Sequence, residues 1–413
     1  MPAPENKVLC KSNIEKEINY IALIFLQMKT FKFFISLLLM YSYVPLFAQQ
    51  DHVNIDWAPQ RNNEGLNPYG ARVISPEVHD DHTATFRLLG PEVNSVSVSG
   101  TMFVGTDAGM RVPLVKGTDS VWSVTIGPLV PDVYIYSLQV DGVNVVDPAN
   151  TITGNAAQPA FGLLWVHDDG PTFYDAKNVP HGTVTQHFYH STVTNGERSL
   201  LVYTPPDYDP SRKYPVLYLM GGSGEDSESW TKNGQANFIM DNLSAEGRVI
   251  PMIIVFPNNQ VVHRSHPRHT ELSFPTMERE FKEVILPFVE QRYNVINNSK
   301  GRAMAGLSMG GRHTQYVVLR NTDLFGSLGI LSAAMPVDDT PALRDPAINS
   351  KIDYFFLGAG MYETNPTARH QVLHDQLEEL GVRHEYLVGN RGAHDFTTWR
   401  FLLHHFLQKL WRQ

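Results

Sequence analysis

Ser308 stands at the centre of the pentapeptide Gly306-Leu307-Ser308-Met309-Gly310. Residues 303–307 read as a short buried strand, and a helix follows Gly311. A strand–turn–helix around Gly-x-Ser-x-Gly is the setting of a nucleophile elbow. Its small flanking residues allow a turn sharp enough to lift the serine Oγ to the carboxyl edge of a sheet. The reaction class would be acyl transfer, with Ser308 as nucleophile. The competing reading is a glycine-rich turn with a bystander serine.

A serine hydroxyl needs a base, and the base needs an orienting carboxylate. In this arrangement the chain order is serine, acid, histidine. His394 follows the strand at residues 385–388 and precedes the last helix, within Gly392-Ala393-His394-Asp395. His370, His374, His384, His404 and His405 lie in or beside helices or at a strand start, where a surface or interhelix role is the default. Only His394 combines a loop position with a glycine neighbour. Glu363 is the one carboxylate in the exit loop of the strand at 354–357, so it is the expected acid. Asp353 precedes that strand and would sit at the wrong edge. Asp395 adjoins the histidine too closely to face it.

The oxyanion of an acyl-transfer intermediate needs two backbone N–H donors. Met309, just after the nucleophile, supplies one. The loop Met220-Gly221-Gly222-Ser223-Gly224 should supply the other, with Gly222 as the expected donor. Gly221 and Trp230, beside and just past that loop, are candidate substrate contacts. His263, His266 and His269 recur every third residue, a spacing that metal binding could use. Residues 261–273 read as a loop with Pro267, so lining the substrate cleft is the preferred role. Neither a metal nor another cofactor is expected.

These residues require a sheet to hold them. Residues 199–203, 215–219, 251–256, 303–307, 327–331 and 354–357 read as strands. Helical spacing recurs at 235–246, 276–292, 368–380 and 397–410. Such alternation predicts a mostly parallel sheet covered on both faces, an α/β domain over residues 183–413. Before it, residues 70–167 hold only short alternating strands, with Asp141-Gly142 as a hairpin turn. That segment predicts a β-sandwich. Residues 168–182 form a linker with Gly170-Pro171 and Val179-Pro180 as breakers.

The chain has 413 residues, enough for two domains. Its net charge of −9 gives no basic face for nucleic acid. Its single cysteine, Cys10, excludes an intramolecular disulfide and a cysteine-based metal site. Met28-Lys29-Thr30-Phe31-Lys32, the uncharged apolar run at 33–47 and Ala48-Gln49-Gln50 have the order of a secretory signal. The run is short for a membrane span. The expected division is therefore an over-extended start at 1–27, a signal at 28–48 and a polar segment at 49–69. No membrane span should remain after signal removal, and the protein should be secreted or periplasmic.

Two resemblances add to this. Val121-Trp122-Ser123-Val124, Tyr134-Ile135-Tyr136, Val140-Asp141-Gly142 and Asp147-Pro148-Ala149-Asn150 resemble the immunoglobulin-like early-set sandwich related to family 48 carbohydrate-binding modules. The resemblance implies a glycan-facing or purely structural module. Trp122 and Tyr136 lie in strand alternation, so core positions are expected for them. Tyr214-Pro215-Val216-Leu217-Tyr218-Leu219, Gly306-Leu307-Ser308-Met309-Gly310-Gly311 and residues 392–400 (GAHDFTTWR) resemble carbohydrate esterase family one and the esterase D group. This implies an α/β-hydrolase fold behind the small all-β sandwich. It also implies ester hydrolysis on plant cell-wall polysaccharide, with arabinoxylan as polymer and ferulate as the first choice of acid. Acetylxylan is the alternative substrate, and a catalytically weak glycan-binding protein is a further one. The secretory signal disfavours enterochelin hydrolysis, which resembles a cytoplasmic task. The family usually has His-Gly-Gly where this chain has Met220-Gly221-Gly222, so a side-chain bond that stiffens the oxyanion loop is expected to be lost.

Overall fold

Every second residue of the central strands points to the same side, and in this chain both sides are apolar. Val216, Tyr218 and Met220 belong to one core and Leu217 and Leu219 to another. Phe355 and Leu357 divide from Tyr354 and Phe356 in the same way. A period of two with both faces hydrophobic demands cover on both sides of a sheet. The computed structural model, which describes residues 73–107, 109–154, 161–364, 368–389 and 391–412, has that arrangement. The segments at 1–27, 28–48 and 49–69 lie outside the described residues.

Among the described residues ten strands precede the central sheet: β1 (Glu77–Val78), β2 (Ala84–Leu89), β3 (Val96–Gly100), β4 (Arg111–Pro113), β5 (Val115–Lys116), β6 (Val121–Ile126), β7 (Asp132–Val140), β8 (Val143–Val145), β9 (Thr153–Gly154) and β10 (Phe161–Val166). They form two antiparallel sheets, ordered β1-β2-β6-β5 and β4-β3-β7-β10-β9, with β8 paired to β7. Phe86 and Trp122 of the first sheet share a core with Val98, Tyr136 and Leu164 of the second. Tyr136 is 1% exposed and meets Phe86 edge-on at 4.9 Å. Neither Trp122 nor Tyr136 is available as a sugar platform. Asp141 and Gly142 both have positive φ, 47° and 88°, and make the tight turn from β7 to β8.

The central sheet has eight strands: β11 (Thr183–Ser191), β12 (Gly196–Thr204), β13 (Val216–Met220), β14 (Ile253–Pro257), β15 (Arg302–Leu307), β16 (Ser327–Leu331), β17 (Tyr354–Ala359) and β18 (Glu385–Val388). Their order is β11-β12-β14-β13-β15-β16-β17-β18. β11 and β12 form an antiparallel hairpin that also pairs antiparallel to β14, and all later pairs are parallel. The helices that fix this sheet are α1 (Ala236–Ala245), α2 (His269–Glu280), α3 (Leu286–Arg292), α4 (Met309–Arg320), α5 (Arg369–Glu379) and α6 (Phe396–Lys409). Met277 of α2, Val289 of α3, Val317 of α4 and Leu373 of α5 pack on one face. Ile239 of α1 and Leu402 and Phe406 of α6 pack on the other. The loop expected through residue 273 ends sooner, because α2 already begins at His269. Pro275 is tolerated inside it, and a π-helical turn at Phe281–Ile285 leads into α3.

Val133 of β7 and Leu163 of β10 belong to the same core as α1 and α6. At that seam Arg400 of α6, 1% exposed, donates to Asp132 of β7 and to the carbonyl oxygens of Val133 at 3.0 Å and Asn233 at 2.6 Å. Arg391 donates to the other Asp132 oxygen at 2.7 Å.

Candidate active site

Ser308 has φ 51° and ψ −118°, in the region that side chains rarely adopt. Its N–H donates to the Leu331 carbonyl of β16 at 2.9 Å, which holds the turn against the sheet. The glycines on either side are required by space. A Cβ on Gly306 would lie 2.5 Å from the Gly310 carbonyl carbon, and one on Gly310 would lie 2.3 Å from the Gly221 oxygen. The result is a half-buried serine at the carboxyl end of β15, just before α4.

The three residues selected by chain order converge there. Ser308 Oγ lies 2.8 Å from His394 Nε2, and His394 Nδ1 lies 2.8 Å from Glu363 Oε1. The second Glu363 oxygen accepts from the Ser332 hydroxyl at 2.6 Å and the Gly360 N–H at 2.8 Å. Burial alone would raise the Glu363 pKa, but the bonds from His394, Ser332 and Gly360 outweigh it, and the net direction is down. Glu363 is therefore ionised at neutral pH. A carboxyl so lowered contributes stability above its unfolded pKa and loses it as pH falls through the folded one. Trp399 Nε1–H donates to Ser332 Oγ at 2.9 Å, and its ring meets the His394 ring edge-on at 5.2 Å. Asp395 instead caps α6, accepting from Thr398 N–H at 3.1 Å and Ala393 N–H at 3.3 Å. Asp353 lies at the opposite end of β17, near Lys300.

The oxyanion loop differs from the expectation. The Gly222 N–H does not face the cleft, because it donates to Glu225 Oε2 at 2.7 Å. The residue that lines the cleft beside Met309 is Ser223. Met309 is the first residue of α4, so its N–H has no partner within the helix. Gly221 is buried, with its carbonyl accepting from Asn259 Nδ2, and is not a substrate contact. Trp230 is also corrected. It is 1% exposed, packs against Phe396 and donates from Nε1 to the Met220 carbonyl at 2.9 Å. Gln260 Nε2 adds a bond to the Gly222 carbonyl at 3.2 Å. Asn259, Gln260, Trp230 and Glu225 thus stiffen the loop despite the missing histidine. Met220 fills the space against Gly306 and Gly310.

Burial pushes the Glu225 carboxyl up to about 7, against the Gly222 hydrogen bond that lowers it. Between the ordinary carboxylate range and that value the folded state holds a proton that the unfolded chain has released. Stability attributable to this group therefore falls as pH rises through that window. Glu225→Gln keeps an acceptor for Gly222 and removes the titration. Its stability relative to wild type is expected to rise by up to about 3 kcal/mol between pH 4.5 and 7. Urea unfolding at several pH values reads the difference, and a constant offset across the window would refute the account.

The cleft holds about 560 Å³. Beside Ser308 and His394 it is lined by Arg264, His269, Arg312, Arg369 and His370. The three spaced histidines separate: His263 Nδ1 faces Ser265 Oγ at 2.7 Å, His269 Nδ1 faces the Val262 carbonyl at 3.1 Å, and of the three only His269 lines the cleft. Arg312 was accessible to sequence reasoning, lying four residues past Ser308, one helical turn on. Arg369, His370 and Ser332 carry no comparable signal. Burial lowers the pKa of His370 and keeps its ring neutral at neutral pH.

Residues 191–410 match the family model described as putative esterase. An endo-1,4-beta-xylanase/feruloyl esterase of Xylanibacter ruminicola is 30% identical over 86% of this chain and 48% of its own length. An endo-1,4-beta-xylanase Y of Acetivibrio thermocellus is 30% identical over 41% of this chain and 17% of its own. The chain thus spans about half the length, or less, of these two relatives. A solved ferulic acid esterase superposes with a TM-score of 0.50 and 26% identity, covering 56% of this chain and 99% of that one. The enterobactin esterase of Shigella flexneri has a TM-score of 0.62 at 16% identity, over 80% of this chain and 93% of that one. The fold of the eight-stranded portion is that of the esterase-type α/β-hydrolases.

Proposed function

The chain belongs to the putative esterase family and is a carboxylic ester hydrolase, and from that premise we propose that it is a secreted feruloyl esterase acting on arabinoxylan. The observation that carries the chemistry is the continuous relay from Ser308 Oγ through His394 to Glu363, with both links at 2.8 Å. Ser308 Oγ attacks the ester carbonyl while His394 Nε2 takes its proton. Glu363, ionised and held by three donors, orients the ring and stabilises the imidazolium. The N–H groups of Met309 and Ser223 receive the oxyanion. His394 returns the proton to the departing sugar hydroxyl, leaving an acyl-serine. Water then attacks that ester by the same route and releases the acid.

The choice of acid and polymer is supported by the Xylanibacter ruminicola relative and the ferulic acid esterase structure. Secretion is supported by the signal-like order at residues 28–50. No helix among the described residues is long and apolar enough to cross a membrane. Incubation with wheat arabinoxylan, followed by chromatography of the released acids, tests the reading. Ferulate is the expected product, absent with Ser308→Ala. Acetate with no hydroxycinnamate would replace this substrate by acetylxylan.

A further inference from the structure

We propose that the cleft beside Ser308 takes an ester that also carries a carboxylate, held by Arg264, Arg312 and Arg369. The inference rests on the ester-hydrolase reading above and goes beyond its substrate, since a feruloyl ester of neutral arabinose carries no carboxylate.

The three guanidinium groups come from three separate elements. Arg264 lies on the loop between β14 and α2, Arg312 on the first turn of α4, and Arg369 at the first residue of α5. All three line the cleft that holds Ser308 and His394. No Asp or Glu is among the described residues that line it. Nor does any of the three arginines form an ion pair among the described residues. Other arginines do find partners: Arg268 pairs with Glu271, Arg279 with Glu283 and Arg344 with Asp338.

Arg312 makes the argument sharpest. It is half-buried, its Nε has no hydrogen-bond partner among the described residues, and the guanidinium lies 5.0 Å from the Phe274 ring centre. Burial and the charge of Arg369 both disfavour its cation, with only Asp339 opposing them. The carboxylates closest to the chemistry are already engaged: Glu363 with His394, Ser332 and Gly360, and Glu225 with Gly222. Arg264 and Arg369 are exposed, so the desolvation falls on Arg312 alone. A partly desolvated cation beside two others, with no direct ion-pair partner, is costly in the free protein, and an incoming anion offsets that cost. Guanidinium groups match a carboxylate in a planar, two-bonded geometry. Neutral acetyl or feruloyl esters of neutral sugars leave this feature unused. The carboxylate belongs either to the alcohol side, as in a uronic acid, or to the acyl side, as in a dicarboxylic half-ester.

Two matched pairs of substrates distinguish these sources using the full chain. One pair is acetylated methyl glucuronoside against acetylated methyl glucoside. The other is 4-nitrophenyl hydrogen succinate against 4-nitrophenyl butyrate. In at least one pair the anionic member is expected to have a kcat/KM higher by about tenfold or more, as charge-assisted bonds of this kind imply. The advantage should shrink as sodium chloride is raised. It should fall in Arg312→Gln and Arg369→Gln, and reverse in Arg369→Glu. Calorimetric binding of glucuronate and succinate to Ser308→Ala reads the subsite without turnover. Binding by Ser308→Ala that is lost on adding Arg369→Gln supports the subsite even if no ester is hydrolysed, a result that would remove the esterase reading alone. Ratios at or below one in both pairs, with no binding of either acid, would overturn the proposal. So would ratios unchanged in both glutamine variants that melt like wild type.

Discussion

Ser308→Ala is expected to lower kcat on an activated ester such as 4-nitrophenyl acetate by about 10⁵-fold, with the fold intact. The hydroxyl is the only atom removed, and the elbow that presents it is fixed by other groups. The Leu331 carbonyl still receives the residue 308 N–H, and Gly306 and Gly310 still admit the turn. Alanine at φ 51° carries the same backbone strain as serine, so the melting temperature should stay close to wild type. His394→Ala should cost a similar factor. Combining the two should cost little more than either, because the residues act as one unit. Steady-state kinetics with circular dichroism as the folding control decides the matter. A folded Ser308→Ala protein that keeps more than about one per cent of wild-type turnover would remove Ser308 from its role.

Arg400→Met is expected to cost about 3–5 kcal/mol of stability, the range for breaking a buried ion pair from one side. Arg400 and Asp132 are both 1% exposed, and the arginine also serves two carbonyl oxygens. Removal leaves an under-compensated carboxylate inside the seam, with Arg391 as its remaining partner. Asp132→Asn combined with Arg400→Met should therefore lose less than the sum of the single changes. Denaturant unfolding of the four proteins measures this. A loss under about 1 kcal/mol for Arg400→Met would mean that solvent reaches the site and the pair is not the tie described.

The three residues of the proposed relay were legible in the sequence for a physical reason. A serine at a strand–turn–helix junction, an acid at one strand exit and a histidine at the next are placed by topology. Topology is readable from the alternation of strands and helices. Gly222 and Trp230 illustrate the limit. Which amide of a five-residue loop faces the cleft depends on where Glu225 folds back, and a residue three positions away gives no sign of that. Trp230 looked available because it follows the loop closely. Its indole is turned inward by the Met220 carbonyl and by the Phe396 ring, the second contact being made only once α6 is in place. The start of α2 at His269 was hidden because residues 261–273 read as a loop around Pro267, whereas the helix begins only two residues after that proline and carries Pro275 within it. The Asp132–Arg400 tie joins residues 268 positions apart, and no local pattern announces it.

That tie bears on how such a chain could be rearranged by recombination or by an engineer. Val133 and Leu163 sit in one core with Trp230, Phe396 and Leu402. A cut before residue 183, the natural place to excise the catalytic portion, would strip apolar cover from α6 and strand Arg400 beside the loop that carries His394. Transplanting the all-β part onto another hydrolase would succeed only if that host offered a matching arginine and helix face. The seam between the two parts is therefore a poor site for shuffling.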